Sequence, residues 1–268
     1  MTELPDIYLD LTHEGENLDN LLADLDADDW ARPTPAPGWT VAHQVAHLAA
    51  TFRMAALAAS DAAAFTTMTS RLSDDFDANV RMALAGYLTE EPAGLLERWH
   101  RERAAADRAL RAHEPSEIVP WLVQPLPVAV LAAAGIMELF AHGQDIADAA
   151  GARLRRTDRI RHLVAFAVRT WNFGYLARGL PVPDVRIRFD ITLPSGAPLH
   201  FGPPESAERV SGPAEDFCLL VTRRRHRDDL RLTATGTEAG RWMDIAQAYR
   251  GPAGAGRRPG QFAAAGTR

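Results

Sequence analysis

Residues 131–150 read LAAAGIMELFAHGQDIADAA, an alanine-rich apolar segment that carries a few polar side chains. The pattern predicts one helix, and Gly151 predicts its end. Glu138, His142 and Asp145 stand at i, i+4 and i+7, so all three project from one side of that helix. A carboxylate is costly to bury unless it is paired or bound to a metal. The segment therefore predicts a metal site inside a helical bundle, with Glu138 and His142 as two ligands.

The third ligand is predicted on another helix, at about residues 40–59, where His43 and His47 lie one turn apart. His47 is the best candidate because its neighbours on that helix are typical of a core. Two histidines and one carboxylate suit catalytic zinc, and the same set can hold Fe(II) or another divalent ion. From spacing alone, ordinary core or surface histidines remain the alternative.

His43 and Asp145 are the candidate catalytic groups beside the predicted ligands. His43 is interpreted as a metal ligand, as a residue that contacts a ligand without binding the metal, or as a proton donor in the pocket. The alternative is a surface histidine. Asp145 is predicted either to orient His142 or to accept a hydrogen bond from the helix that carries His47.

Hydrophobic periodicity separates a helical part of the chain from a smaller mixed part. The 3.6-residue period predicts long helices at about residues 5–26, 40–59, 89–112, 131–150 and 157–177. Three prolines and Gly38 predict a proline-rich loop at 27–39, and the polar, weakly periodic residues 60–88 predict a loop and one short helix. Alternation then predicts a strand at 185–193, and the turn at 194–196 predicts a return strand at 198–201. A further strand at 230–234 and short helices at 213–224 and 237–249 are also predicted. We therefore predict an α+β protein, with a helical domain at residues 1–178 and a small α/β domain at 179–268 that ends in a flexible tail.

Composition limits the classes of partner. The 268-residue chain has a formal net charge of −6 at pH 7, which argues against a general nucleic-acid or anionic-membrane binder. The longest apolar run, Val128 to Met137, is far shorter than the ~20 residues that span a bilayer. The N-terminus lacks the pattern of a signal peptide. We expect a soluble, cytoplasmic monomer or homodimer with a small-molecule substrate and with no nucleic-acid or membrane partner.

Two other features are interpreted as structural. Residues 223–227 read RRRHR, and this basic run is interpreted as a solvated helix end that complements the helix dipole rather than as an anion site. The single cysteine, Cys218, lies among apolar residues and is interpreted as an inert buried thiol. The chain has no Walker loop, no Gly-x-Gly-x-x-Gly and no Gly-x-Ser-x-Gly.

Two segments resemble the signatures of a known family. Residues 34–41 (TPAPGWTV) with 44–49 (QVAHLA), and residues 137–138 (ME) with 141–149 (AHGQDIADA), resemble the mycothiol-dependent maleylpyruvate isomerase-like proteins of the DinB-like metalloprotein superfamily. Residues 212–256 resemble the accessory domain of one actinobacterial branch. The resemblance implies a DinB-like four-helix bundle that holds one divalent metal, typically zinc, through His47, Glu138 and His142. It also implies mycothiol as the cosubstrate of a transfer or an isomerisation.

Three positions depart from the pattern of that branch, which usually has Asp at His43, Arg at Gly135 and Trp at Phe140. Gly135 lies three residues before Glu138, so we predict that it opens volume in the cofactor pocket and favours a neutral or bulky substrate. Two alternatives to the thiol-dependent enzyme follow. One is a thiol-independent metal-dependent isomerase, cyclase or lyase of specialised metabolism, and the other is a non-catalytic, metal-stabilised binding protein.

Overall fold

The computed structural model describes residues 6–122 and 124–262, and the chain divides into two compact units between Leu154 and Arg155. The first unit is helical and the second contains a sheet, which confirms the predicted α+β class. Within the described ranges, no helix combines the length and the apolar character that a membrane crossing requires.

The first unit contains six helices and one small hairpin among its described residues. The helices are α1 (Ile7–Ala23), α2 (Val41–Ser60), α3 (Ala62–Thr69), α4 (Phe76–Ala85), α5 (Pro92–Arg111) and α6 (Val128–Ala150). The strands β1 (Ile118–Val119) and β2 (Leu126–Pro127) pair antiparallel just before α6. The sequence predicted a loop and one short helix where α3 and α4 lie, because that stretch is polar and weakly periodic. Gly151 adopts a left-handed conformation (φ 66°) and ends α6, as predicted.

Four long helices form the core of this unit, since α2 packs against α5 and α6, and α1 packs against the same two helices. The contacts are made by leucines and aromatic residues that are at most 3% exposed, among them Leu11, Leu18, Leu22, Phe52, Trp99 and Phe140. Burying a side chain of this size contributes about 1.5–3 kcal/mol to folding. The apolar stripes read from the sequence are thus the surfaces that hold the helices together.

Trp99 joins three of these helices and places one polar group in the core. Its indole N–H donates to Asp19 Oδ1 at 2.7 Å, and Arg103 pairs with the other oxygen of Asp19 at 2.6 Å. Phe52 meets the Trp99 ring edge-on, with the ring centres 5.1 Å apart. Because the buried donor and the carboxylate satisfy each other, this polar contact joins α1 to α5, and the Phe52 ring adds an apolar contact from α2.

The second unit builds a four-stranded sheet with helices packed on it. Its elements are α7 (Arg161–Arg169), α8 (Phe173–Leu176), β3 (Arg188–Thr192), β4 (Pro198–Phe201), β5 (Arg209–Pro213), α9 (Ala214–Val221), β6 (Thr233–Thr235) and α10 (Thr237–Ile245). The strand order is β4-β3-β5-β6, in which β3 pairs antiparallel with β4 and parallel with β5, and β5 pairs antiparallel with β6. Phe189, Phe217 and Trp242 cluster beneath the sheet, with ring centres 5.2–6.0 Å apart.

The second unit departs from the prediction in two of its elements. Helix α7 belongs to this compact unit, because its apolar face packs against α9. The predicted helix at 157–177 breaks into α7 and α8. Strand β5 was not predicted, because its sequence RVSGP has no clear alternation. Periodicity identifies an amphipathic helix but does not say which neighbour covers its face.

The chain after α10 folds back onto the second unit as far as it is described. The Gly260 N–H donates to both carboxylate oxygens of Asp229, at 2.8 and 3.0 Å, and the Arg225 guanidinium lies 3.9 Å from the centre of the Phe262 ring. The flexible tail predicted from Gly251 therefore includes ordered contacts. Residues 263–268 of that predicted tail lie outside the described residues.

Substitution of two glycines of the second unit by alanine should change the free energy of unfolding in opposite directions. A Cβ on Gly174 would lie 2.1 Å from the backbone oxygen of Ile245, whereas a Cβ on Gly240, inside α10, meets no atom within 4 Å. We expect Gly174→Ala to lower the free energy of unfolding by about 1–3 kcal/mol or more, because backbone must move. Gly240→Ala should raise it by about 0.5–1 kcal/mol through helix propensity. Denaturant unfolding measures both values, and equal effects would contradict the packing described.

Candidate metal centre

His47, Glu138 and His142 come together between α2 and α6. The Nε2 atoms of His47 and His142 lie 3.4 and 3.1 Å from the same oxygen, Glu138 Oε2. One ligand atom from each residue falls within 4.8 Å of the other two, and this is the one such group of His, Cys, Asp or Glu among the residues that the structure describes. The side chains are 23%, 19% and 11% exposed in that order, so solvent reaches the cluster.

The charge of Glu138 is fixed by its two histidines. Burial by itself would raise the pKa of Glu138, but hydrogen bonds and the positive charges of His142 and His47 outweigh burial and hold that pKa well below its ordinary value. Glu138 is therefore an anion at neutral pH, and the cluster presents two imidazole nitrogens and one carboxylate oxygen to a shared space.

Gln44 fixes the orientation of His142. The His142 Nδ1–H donates to Gln44 Oε1 at 2.5 Å, and the Gln44 amide, which is fully buried, donates in turn to Thr34 Oγ1 at 2.8 Å. With its hydrogen on Nδ1, a neutral His142 directs the lone pair of Nε2 at a carboxylate oxygen only 3.1 Å away. Two acceptors at this distance need a cation between them, either a proton or a metal ion. The donor set therefore fits a divalent metal.

Trp39 covers the histidines from one side. The backbone N–H of Trp39 donates to the backbone oxygen of Ala36 at 3.0 Å and closes a turn over Pro37 and Gly38. Gly38 has a φ of 77°, the left-handed conformation that a type II turn requires. The Thr34 hydroxyl donates to Trp39 O at 2.9 Å. The turn presents the indole to His142, stacked with ring centres 5.9 Å apart, and to His47 at 5.4 Å. The proline-rich loop predicted from the sequence is thus one wall of the site.

His43 and Asp145 lie outside the cluster of ligand atoms. His43 Nδ1 accepts from the Thr40 N–H at 3.3 Å and lies 2.8 Å from Thr40 Oγ1, so this nitrogen caps the start of α2. Burial lowers the pKa of His43. Asp145 is fully buried in α6, but the partner that orients His142 through Nδ1 is Gln44. Catalytic roles for His43 and Asp145 stay predictions.

Gln44 was not predicted as a site residue, although a signal for it exists in the sequence. Gln44 stands three residues after Val41 and four before Leu48, on the apolar stripe of α2. An amide on a buried stripe must find hydrogen-bond partners, so its position predicts a polar contact inside the core. Its partner on α6, however, can be named only from the packed structure.

Gly135 faces packed side chains rather than open volume. A Cβ on Gly135 would lie 3.1 Å from Leu11 Cδ1 and 3.7 Å from Phe52 Cζ, and both of these residues are buried. Gly135 therefore does not open the volume in the cofactor pocket that was predicted. It allows α6 to approach α1 and α2 closely, which helix geometry alone did not reveal.

The family of this chain follows from a comparison with known proteins. The family model described as the mycothiol maleylpyruvate isomerase N-terminal domain matches residues 11–147, which begin inside α1 and end inside α6, with all three clustered side chains inside the match. The chain belongs to this family. The resemblance stated from residues 34–49 and 137–149 is thereby confirmed. A second model, described as wyosine base formation, matches residues 194–235 in the second unit.

Two relatives and two solved structures align with most of the chain. Uncharacterised proteins from two strains of Mycobacterium tuberculosis are 40% identical over 248 residues, covering 92% of this chain and 96% of theirs. Crystal structures of the mycothiol-dependent maleylpyruvate isomerase and of one of its mutants share the fold, with a TM-score of 0.55 and 15% identity. They align over 87% of this chain and 93% of theirs.

Substitutions at Gly135 distinguish close packing from an open pocket. We expect Gly135→Arg to lower the free energy of unfolding by more than about 2 kcal/mol, because it forces a charged side chain between Leu11 and Phe52. Gly135→Ala should stay within about 1 kcal/mol of the parent, since a gain in helix propensity offsets the tight methyl contact. Thermal or denaturant unfolding of both variants tests this. An arginine variant as stable as the parent would mean that the glycine borders open space.

Proposed function

We propose that this protein is a metal-dependent enzyme that uses a small thiol, mycothiol, to isomerise or transfer a group on a small-molecule substrate. The observation that carries the proposal is the convergence of His47 Nε2 and His142 Nε2 on one oxygen of Glu138. Membership of the mycothiol maleylpyruvate isomerase family supports the thiol. Two nitrogens and one oxygen make a donor set that suits zinc and leaves room for another ligand.

The chain's own groups have distinct tasks in this proposal. His47, Glu138 and His142 hold the metal, and Gln44 keeps the Nε2 of His142 directed at it through the bond to Nδ1. A bound divalent ion would stabilise a thiolate at its remaining coordination position, as an activated nucleophile. Trp39 shields the two imidazoles from water on one face.

His43 is proposed as a hydrogen-bond donor beside the thiol. It lies one turn before His47 on α2, and its ring contacts Trp39 with centres 6.3 Å apart. Its Nδ1 accepts from the Thr40 N–H, so the neutral ring carries its hydrogen on Nε2. Because burial lowers the pKa of His43, the ring is neutral at neutral pH, and its Nε2–H can donate a hydrogen bond to a thiolate.

Metal content tests the ligand set. We expect the purified protein to carry close to one divalent metal ion per chain, and His142→Ala and His47→Ala to carry little or none, because each removes one of three protein ligands. His43→Ala is the matched control, since it removes an imidazole from the same helix and should keep the metal. Elemental analysis measures all four proteins. Equal metal content in the parent and in His142→Ala would rule out the site.

Gln44→Leu adds a graded test of the same site. It keeps every ligand but removes the acceptor for the Nδ1–H of His142. We expect zinc affinity to fall by about 10- to 100-fold rather than to vanish, the effect usual for a group that orients a metal ligand. Competition with a chelator measures the affinity, and an unchanged value would mean that Gln44 does not orient His142.

Thiol binding decides between the proposed function and its alternatives. We expect the metal-loaded protein to bind mycothiol at least about tenfold more tightly than its S-methyl derivative, because only the free thiol can give up a proton and reach the metal as a thiolate. Calorimetry with both compounds makes the comparison. Equal affinities would favour the thiol-independent isomerase, cyclase or lyase. Binding of neither compound to a fully metal-loaded protein would favour the non-catalytic binding protein.

A further inference from the structure

A basic cavity lies in the second unit, beyond the end of α9. Its volume is about 130 Å³ and it opens to solvent on one side. The side chains around it include four arginines and a histidine, namely Arg223, Arg225, His226, Arg227 and Arg257. The first four belong to the basic run that the sequence analysis interpreted as a solvated helix end.

Positive charge dominates the lining of this cavity. Asp244 is the one carboxylate among the described residues that line it, and its Oδ1 pairs with Arg227 at 2.7 Å. Burial and the nearby charge of Arg223 lower the pKa of Arg178, so another guanidinium lies close to Arg223. A concave wall with several cations and one anion attracts a negatively charged ligand.

The backbone at Arg223 is the second observation. Arg224 N donates to Leu219 O and Arg223 N donates to Leu220 O, both at 2.9 Å, which forms a Schellman motif at the end of α9. Arg223 occupies the left-handed position of this motif (φ 58°), and it is the one non-glycine residue with positive φ in the described chain. Glycine is the usual residue there, so the chain keeps an arginine side chain where the backbone disfavours one.

The guanidinium of Arg223 is held in the cavity wall. Its Nε is buried and has no hydrogen-bond partner among the described residues, and its Nη2 donates to Gly254 O at the long distance of 3.5 Å. A Cβ on Gly256 would lie 2.6 Å from Nη2, so the absence of a side chain there makes room for the guanidinium. A charged group with an unsatisfied buried donor is poised to bind an acceptor from a ligand.

We propose that this cavity binds a phosphate group, either as inorganic phosphate or as part of a phosphomonoester, with Arg223 as the principal contact. Several guanidinium groups match a dianion with several acceptor oxygens better than they match a monoanionic carboxylate. A cavity volume of about 130 Å³ accommodates a phosphate group. Any organic part of the ligand would lie on the open side.

Arg223→Gly is the sharpest test, because glycine suits the backbone at this position. Inorganic phosphate is added at constant ionic strength, balanced with chloride, and thermal unfolding is followed. We expect phosphate to raise the melting temperature of the parent protein. The variant should melt higher than the parent in chloride, since its backbone strain is relieved, and should lose the response to phosphate. Calorimetry should show phosphate affinity reduced at least about tenfold by loss of the charged contacts.

Two further proteins and two further ligands complete the experiment. Arg241→Ala removes one positive charge from the exposed side of α10 and should keep the full response to phosphate. Arg223→Lys keeps the charge but not the planar fork, so its affinity should be intermediate. Phenyl phosphate that binds more tightly than phosphate would identify a phosphomonoester, and the reverse order would identify free phosphate. An equal response in Arg223→Gly, no response in the parent or equal affinity for benzoate would overturn the proposal.

Discussion

The arrangement of the helical unit depends on the neutralisation of Glu138. This carboxylate lies between two long helices whose remaining inward residues are mostly apolar, and an anion in that setting is stable only beside compensating groups. His142 supplies one from the same helix, one turn away, but His47 must come from α2. The packing of α2 against α6 is therefore tied to an electrostatic requirement as well as to apolar burial, and the same contact creates the candidate metal centre.

A second layer of contacts turns this pairing into a defined geometry. Gln44 links His142 to Thr34, and Thr34 holds the turn that carries Trp39. One polar chain thus runs from α6 through α2 to the proline-rich loop, and each member is satisfied by the next. Buried polar networks of this kind are costly when broken and orient their members strongly when complete. The histidine ring is held before any ligand arrives, which reduces the cost of binding one.

Glycine positions have different physical causes in different parts of the chain. Gly38 and Gly151 adopt left-handed backbone conformations at a turn and at a helix end. Gly135 has a helical backbone and matters because Leu11 and Phe52 fill the space in front of it. Arg223 is the converse case, a large side chain at a left-handed position. Backbone preference therefore explains some of these residues, whereas others reflect what lies opposite them in the packed protein.

Much of the site was determined by the sequence itself. Local spacing placed Glu138 and His142 on one face of a helix, and a buried pattern placed His47 on another, because side-chain direction in a helix follows from its period. Alternation identified β3 for the same reason, and the turn after it identified β4 as the return strand. The family resemblance of residues 34–49 and 137–149 joined these pieces into one prediction.

The tertiary structure decided what local spacing does not encode. In the packed structure α7 lies in the second unit, and Gln44 rather than Asp145 is the partner of His142 Nδ1. Leu11 and Phe52 pack against Gly135. These outcomes depend on which surfaces of distant segments meet. Periodicity fixes the face that a helix presents, but the neighbour that covers this face is chosen by the packing of the whole core, since shape and polar satisfaction must be met there at the same time.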